Sequence, residues 1–384
     1  MQLSPFTEDH EHLRATLRRY VEAELAPHAR EWEEAGRFPD QVFRDLGAMG
    51  MLGLNVPPEY GGAGADYWAT VVMAEELGGS LTGSIPMAIG AHTDMAMPPI
   101  LKFGTEEQKH AYLTPAVAGE KIAAIGITEP GAGSDVAAIT THARRDGSDW
   151  ILNGQKTYIT NGTRADFVTM VVRTDDRVAN DPWGGISLFI VDTDLPGFEV
   201  ARALDKVGMR SSDTAELFFT DVRLPAEALL GTEGAGFKQI MWELQGERLI
   251  SACSATAGAQ RNLDRAVTYA REREAFGRSI LGFQALRHRL VDCATEIEAV
   301  RNLVYDCADK WNRGIYATTE IAMCKLAAAT LGWRVADEVL QVHAGFGYSE
   351  ESDVARAWRD ARLMRIGGGT DEVQREIISK LMGL

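Results

Sequence analysis

Between residues 121 and 230 the chain abandons helical spacing of its apolar side chains for short β-prone runs, and then returns to helical spacing. That order constrains the fold most: a sheet-forming middle must be set between two helical regions, which makes the class α+β. In the first region Leu13, Leu17, Tyr20, Val21 and Leu25 recur on one face, with breakers at Pro39, Pro57-Pro58 and Gly61-Gly62. Residues 80–90 read as a turn entering a small-residue helix suited to close packing. Candidate strands are 123–127, 150–156, 167–172, 186–191 and 215–222, spaced as in a small barrel or sandwich. After the glycine-rich link 231–236, segments 239–275, 284–313 and 318–343 are long enough to form a bundle. The expected domains are 1–120, helical; 121–230, β; and 231–384, helical.

A length of 384 residues allows several sizeable cores. The formal charge of −16 argues against nucleic acid or an anionic membrane as the main partner, although local basic pockets can still hold phosphorylated ligands. No apolar run is long enough to span a bilayer. Residues 1–10 are acidic and lack the order of a secretory signal. The cysteines Cys253, Cys293, Cys307 and Cys324 form no close pair in sequence, so buried reduced thiols and a cytoplasmic location are expected.

Three segments invite chemistry. Gly367-Gly368-Gly369 can shape backbone and space but cannot move a proton, so a base serving that region must come from elsewhere. Glu247 is the candidate, because Ile240, Leu244, Glu247, Ser251 and Gly258 share a helical face. Glu243 is either a like-charge neighbour that raises the Glu247 pKa with burial or a solvent-facing residue. The turn 127–135, with Thr128 and Ser134 as hydroxyl donors, suits either close approach to a phosphate or planar ring, or a plain structural turn. Asn153-Gly154 signals a turn before a strand on which Tyr158 and Thr160 share a face, which meets a ligand or packs as a hairpin. Other conspicuous residues read blandly. His10 and His12 belong to a surface segment without further metal ligands, His343 packs in a helix or lies beside a cofactor rather than transferring a proton, and Cys253 has no activating histidine. Leu286, Leu290, Cys293, Ile297, Val300 and Val304 form a packing stripe.

The motifs ITEPGAGSD at 127–135, KTYITNG at 156–162, DKVGMRSSDTAELFFTDVRLP at 205–225, REREAFGRSI at 271–280, QVHAGFGYSE at 341–350 and RDARLMRIGGGTDEV from Arg359 resemble the acyl-CoA dehydrogenase family over essentially the whole chain. The resemblance implies a middle β domain between an N-terminal helical domain and a C-terminal four-helix bundle, commonly a homotetramer with FAD at a subunit interface. It implies flavin contacts from Thr128, Ser134, Tyr158, Thr160, Thr370 and Glu372, with Tyr158 where many members carry tryptophan. Arg273, Phe276, Gln341 and Gly345 are implied contacts to a neighbouring subunit's FAD. No metal is implied.

The implied reaction turns an acyl-CoA into its trans-2-enoyl form: a carboxylate takes the Cα proton and flavin N5 the Cβ hydride, with electron-transfer flavoprotein as acceptor. The Gly369 N–H is implied as a donor to the thioester carbonyl. Medium-chain members carry the base at the position of Gly368. Isovaleryl- and long-chain members carry it in a Glu-Arg-Leu setting, which Glu247-Arg248-Leu249 matches. Arg248 is then implied near the CoA phosphates, Ser134 is implied at the substrate as well as at the flavin, and Gly367 and Gly368 widen the substrate cavity. Segments 85–95 and 208–212 resemble the citronellyl-CoA branch, so a branched chain is expected, with medium or long straight chains as alternatives. An oxidase using oxygen and an inactive acyl-CoA-binding flavoprotein are the competing readings. The first is disfavoured by the lack of an extra domain.

Overall fold

The computed structural model describes residues 5–176, 181 and 183–384; residues 1–4 of the N-terminal stretch read above lie outside these. Helix α1 (Glu8–Tyr20) starts at Thr7, whose side chain and that of His10 form a reciprocal cap. Its stripe behaves as the spacing predicts, with Leu17, Val21 and Leu25 in the core and Leu13 and Tyr20 packed against it. His10 corrects the surface reading. It is buried and its Nε2 lies 2.9 Å from Asp66 Oδ1, while Asp66 caps α2 (Tyr67–Leu77), so the two helix starts are joined. Helix α3 (Ser84–Gly90) runs on through Ala91–Ala96 and Met97–Phe103.

The middle region forms one mixed sheet from β1 (Ala123–Gly126), β2 (His142–Asp146), β3 (Asp149–Thr160), β4 (Phe167–Arg173), β5 (Ile186–Asp192), β6 (Phe198–Ala203), β7 (Thr214–Leu224) and β8 (Leu229–Leu230). The order is β6-β7-β3-β2-β4-β5-β8, with β1 parallel to β4. Strand β4 is buried on both faces: Phe167 and Val171 face a core shared with the 97–117 helices, and Val168, Met170 and Val172 face Trp150 and Leu217. The Asn153-Gly154 turn is not formed. Gly154 has φ +140, and a register shift against β7 makes this a bulge inside continuous β3.

The C-terminal region packs α4 (Gly236–Glu272), α5 (Gln284–Asn312) and α6 (Thr318–Gly347), followed by α7 (Asp353–Ala361) and α8 (Asp371–Met382). On α5 the predicted stripe holds, with Leu290, Cys293, Ile297 and Val304 buried. Residues 274–275 are not helical but pair with 278–279 in a small hairpin, turned by the positive φ of Phe276 and Gly277. Cys307 on α5 and Cys324 on α6 lie with their sulfurs 3.2 Å apart, because the short turn between these helices sets the two positions face to face. The cysteines therefore include a close pair in space, invisible in their spacing.

Glu33 ties the layers together. Its buried carboxylate accepts hydrogen bonds from Thr82 Oγ1 (2.9 Å), Ser84 Oγ, Ser211 Oγ (2.7 Å) and the backbone N–H groups of Arg210 and Ser211 (both 3.0 Å). Burial alone would push its pKa up, yet these donors hold it below the ordinary value.

Candidate active site

Glu247 sits mid-helix on α4, buried, and accepts no hydrogen bond from any described residue. Its carboxylate faces the glycine loop: a Cβ built on Gly368 would lie 3.2 Å from Glu247 Oε1. Burial pushes the Glu247 pKa up, and Arg248 and Lys325 oppose this only in part. Glu243, one turn earlier, is turned inward, which resolves the two readings of its orientation; burial and then the charge of Glu247 push its pKa well up, and both its oxygens lack partners among the described residues. The two carboxyls, one turn apart, titrate as a coupled pair, and burial raises both.

The loop opposite is fixed by three side chains. Arg248 Nε donates to Gly368 O (3.0 Å), Lys325 Nζ to Gly369 O (2.6 Å), and Gln374 Nε2 to both carbonyls (3.1 Å each). Arg248 thus turns to the same loop as Glu247 rather than away from it, because its buried guanidinium finds a carbonyl there. The Gly369 N–H has no partner among the described residues and remains available to a ligand. Gly368 and Gly369 have φ of +66 and +96, so both occupy backbone regions that side chains disfavour. Gly368→Ala is expected to lower stability by about 1–2 kcal/mol from backbone strain alone and to crowd the carboxylate. Urea denaturation together with a pH profile of activity would check both effects.

The turn 127–135 lies against β3. Thr157 N donates to Thr128 O (2.9 Å), and Lys156 Nζ reaches Ile127 O and Glu129 Oε1 (both 2.9 Å). Glu129 also accepts from Thr140 N (2.7 Å), Thr140 Oγ1 (2.9 Å) and Thr141 N (3.0 Å). Burial pushes the Lys156 ammonium down to about 8, with Glu129 opposing. Thr128 thus lies against Thr157 on β3, followed there by exposed Tyr158, buried Ile159 and half-buried Thr160. Tyr158 is 68% exposed with φ +62, so the packed-hairpin reading does not hold for its ring. Ser134 is exposed on the same turn, and Gly131 leaves open space where a Cβ would stand.

Thr370 caps α8 through Val373 N (3.3 Å), and Glu372 is exposed in that helix's first turn. Arg273, Phe276, Gln341 and Gly345 gather at the other end of the bundle, where Tyr269 stacks on His343 at 4.2 Å. All four are exposed, Phe276 to 95%, and Gly345 has no neighbour within 4 Å of a built Cβ. Open glycines, uncovered aromatic rings and free hydroxyls are what a large planar cofactor with a pyrophosphate requires. The residues present fit the expected flavin.

One turn beyond Glu247 on the same face of α4, a cavity of ≈ 170 Å³ opens between α2, α3 and α4. Met73, Leu77, Met87, Met95, Ile250 and Ala255 give it an apolar wall, and Pro86, Gly90 and Met209 also line it. Spacing alone missed Glu129, Lys156, Lys325 and Gln374. For Lys325 the signal was a cation within the apolar run 321–329; for Glu129, Lys156 and Gln374 we find none.

The descriptions of the acyl-CoA dehydrogenase N-terminal, middle and C-terminal domains match residues 7–120, 124–222 and 234–383. The mitochondrial long-chain specific acyl-CoA dehydrogenase of Sus scrofa is 40% identical over 98% of this chain and 86% of its own length; that of Mus musculus is 41% identical over the same shares. The crystal structure of an acyl-CoA dehydrogenase from Geobacillus kaustophilus superposes with a TM-score of 0.96 at 41% identity, covering 99% of this chain and 100% of the other. The mitochondrial relatives overturn the cytoplasmic expectation. Its grounds were too narrow, since an acidic start argues only against a secretory signal, and buried thiols need only reducing surroundings.

Proposed function

Because this chain belongs to the acyl-CoA dehydrogenase family and is an FAD-dependent enzyme of it, we propose that Glu247 abstracts the Cα proton of an acyl-CoA thioester during its oxidation to the trans-2-enoyl-CoA. The observation that carries this reading is a buried carboxylate without a hydrogen bond, facing a glycine that leaves it room. A raised pKa suits a base that must hold the proton it takes. The free N–H of Gly369 supplies a donor for the thioester carbonyl as charge develops there. Arg248, Lys325 and Gln374 hold that N–H in position by fixing the loop's carbonyls. Thr128, Ser134, Tyr158, Thr160, Thr370 and Glu372 would hold FAD, which when bound would supply the acceptor for the Cβ hydride.

The apolar cavity along α4 takes the acyl chain. Residues from both segments that resemble the citronellyl-CoA branch, Pro86, Met87, Gly90 and Met209, line it, which supports a medium or long chain that tolerates branching. Electron-transfer flavoprotein is the proposed acceptor. A homotetramer would cover Phe276, Phe346 and Tyr348 and bring Arg273, Phe276, Gln341 and Gly345 to a neighbour's FAD. The domains divide at 1–120, 121–230 and 231–384. Anaerobic titration of the yellow protein with citronellyl-, octanoyl- and palmitoyl-CoA should bleach the flavin. No bleaching with any of the three would refute the reaction, and bleaching by the two straight-chain esters but not by citronellyl-CoA would refute the tolerance of branching.

A further inference from the structure

The apolar cavity ends in charge. Its distal wall carries Arg261, Asn262 and Arg265, which continue along α4 the face on which Glu247 lies. At about 1.5 Å of rise per residue, Arg265 stands roughly 27 Å beyond Glu247.

The neighbouring charges are already matched. Arg261 Nη2 binds Glu76 Oε2 (3.2 Å) and Glu75 O (2.9 Å). Arg356 pairs with Asp353 and donates to Leu81 O (2.7 Å). Asp360, which also lines the cavity, turns its oxygens to the N–H groups of Gly83 (2.8 Å) and Met209 (2.5 Å).

Arg265 is the exception. Its single hydrogen bond is a long one, Nη1 to Asn262 Oδ1 at 3.4 Å, and it forms no ion pair among the described residues. Burial disfavours its charge, Asp353 opposes this, and the nearby Arg356 and Arg261 act in the same direction as burial. An arginine cannot give up its proton to escape that penalty. A guanidinium left this way on the wall of a cavity calls for an anion from the cavity side.

We propose that Arg265, assisted by the Asn262 amide, binds a carboxylate at the far end of the acyl chain, so that the preferred substrates are long ω-carboxyacyl-CoA thioesters. A carboxylate meets the planar fork with two parallel hydrogen bonds and cancels the charge. A terminal methyl leaves the half-buried guanidinium unpaired, and a terminal hydroxyl accepts one hydrogen bond without matching the charge. The methionine-lined wall admits the methylene chain between the two polar ends.

This inference rests on the acyl-CoA reading, and the test separates the two. The flavoprotein carrying Glu247→Gln, which binds without turnover, is titrated calorimetrically with docosanoyl-CoA and with its ω-carboxy counterpart, whose extended chain, at about 1.3 Å per bond, covers the roughly 27 Å of helix rise to Arg265. The ω-carboxy ester should bind at least about tenfold more tightly, the scale of a hydrogen-bonded charge pair. Adding Arg265→Met should bring the ratio of the two affinities close to one, and Arg265→Lys should restore part of it. Equal affinities before Arg265 is changed, or a ratio that survives Arg265→Met, would overturn the carboxylate site and leave the reaction standing. Failure of both esters to bind would overturn the acyl-CoA reading and this inference with it.

Discussion

Glu247→Gln will keep the protein yellow and folded while slowing acyl-CoA-dependent flavin bleaching by a factor on the order of 10²–10⁴, the range for loss of a positioned base. Glutamine preserves the shape against Gly368 but cannot take a proton. In the parent protein the bleaching rate should rise with pH as Glu247 ionises. Because burial raises its pKa, the midpoint should lie above the ordinary carboxylate range. Stopped-flow measurement of flavin absorbance across pH would check both statements. Parental rates in the variant would remove Glu247 from the mechanism.

Lys156→Met should lower stability by about 3–5 kcal/mol, the scale for breaking a buried ion pair from one side. Lys156 and Glu129 are 1% and 4% exposed, so neither charge can turn to water when its partner is lost. The Glu129 carboxylate is buried yet held below its usual pKa, largely by Lys156. A carboxylate lowered in this way stabilises the fold above its unfolded pKa and loses that contribution as pH falls through the folded value. The gap between parent and variant should therefore be full near neutral pH and narrow on acidification. Urea denaturation at several pH values would show this, and adding Glu129→Gln to Lys156→Met should recover part of the loss.

The broad plan of the chain is legible because its signals are local. Leu17, Val21 and Leu25 repeat with the helix, and β4 and β5 are unbroken apolar runs. Strands β2 and β6 escaped because four of five and six of six of their residues are not fully buried, which erases the alternation that marks a strand. Gly154 misled because a bulge and a turn call for the same residue. At the site, Glu247 and the glycines could be named from sequence, whereas the inward turn of Glu243 and the clamp by Lys325 and Gln374 depend on contacts between distant elements. His10 was misread for the same reason, since Asp66 lies far from it in sequence.

The pairing of Glu247 with Gly368 divides selection between the two sides of the cavity. Position 368 is tested by volume and backbone hand, because its task is to be absent; position 247 is tested by acidity, because a rigid helix already fixes where it stands. Drift on the loop would first appear as a misshapen cavity with its base intact. Drift on the helix would leave the cavity well shaped and without its base.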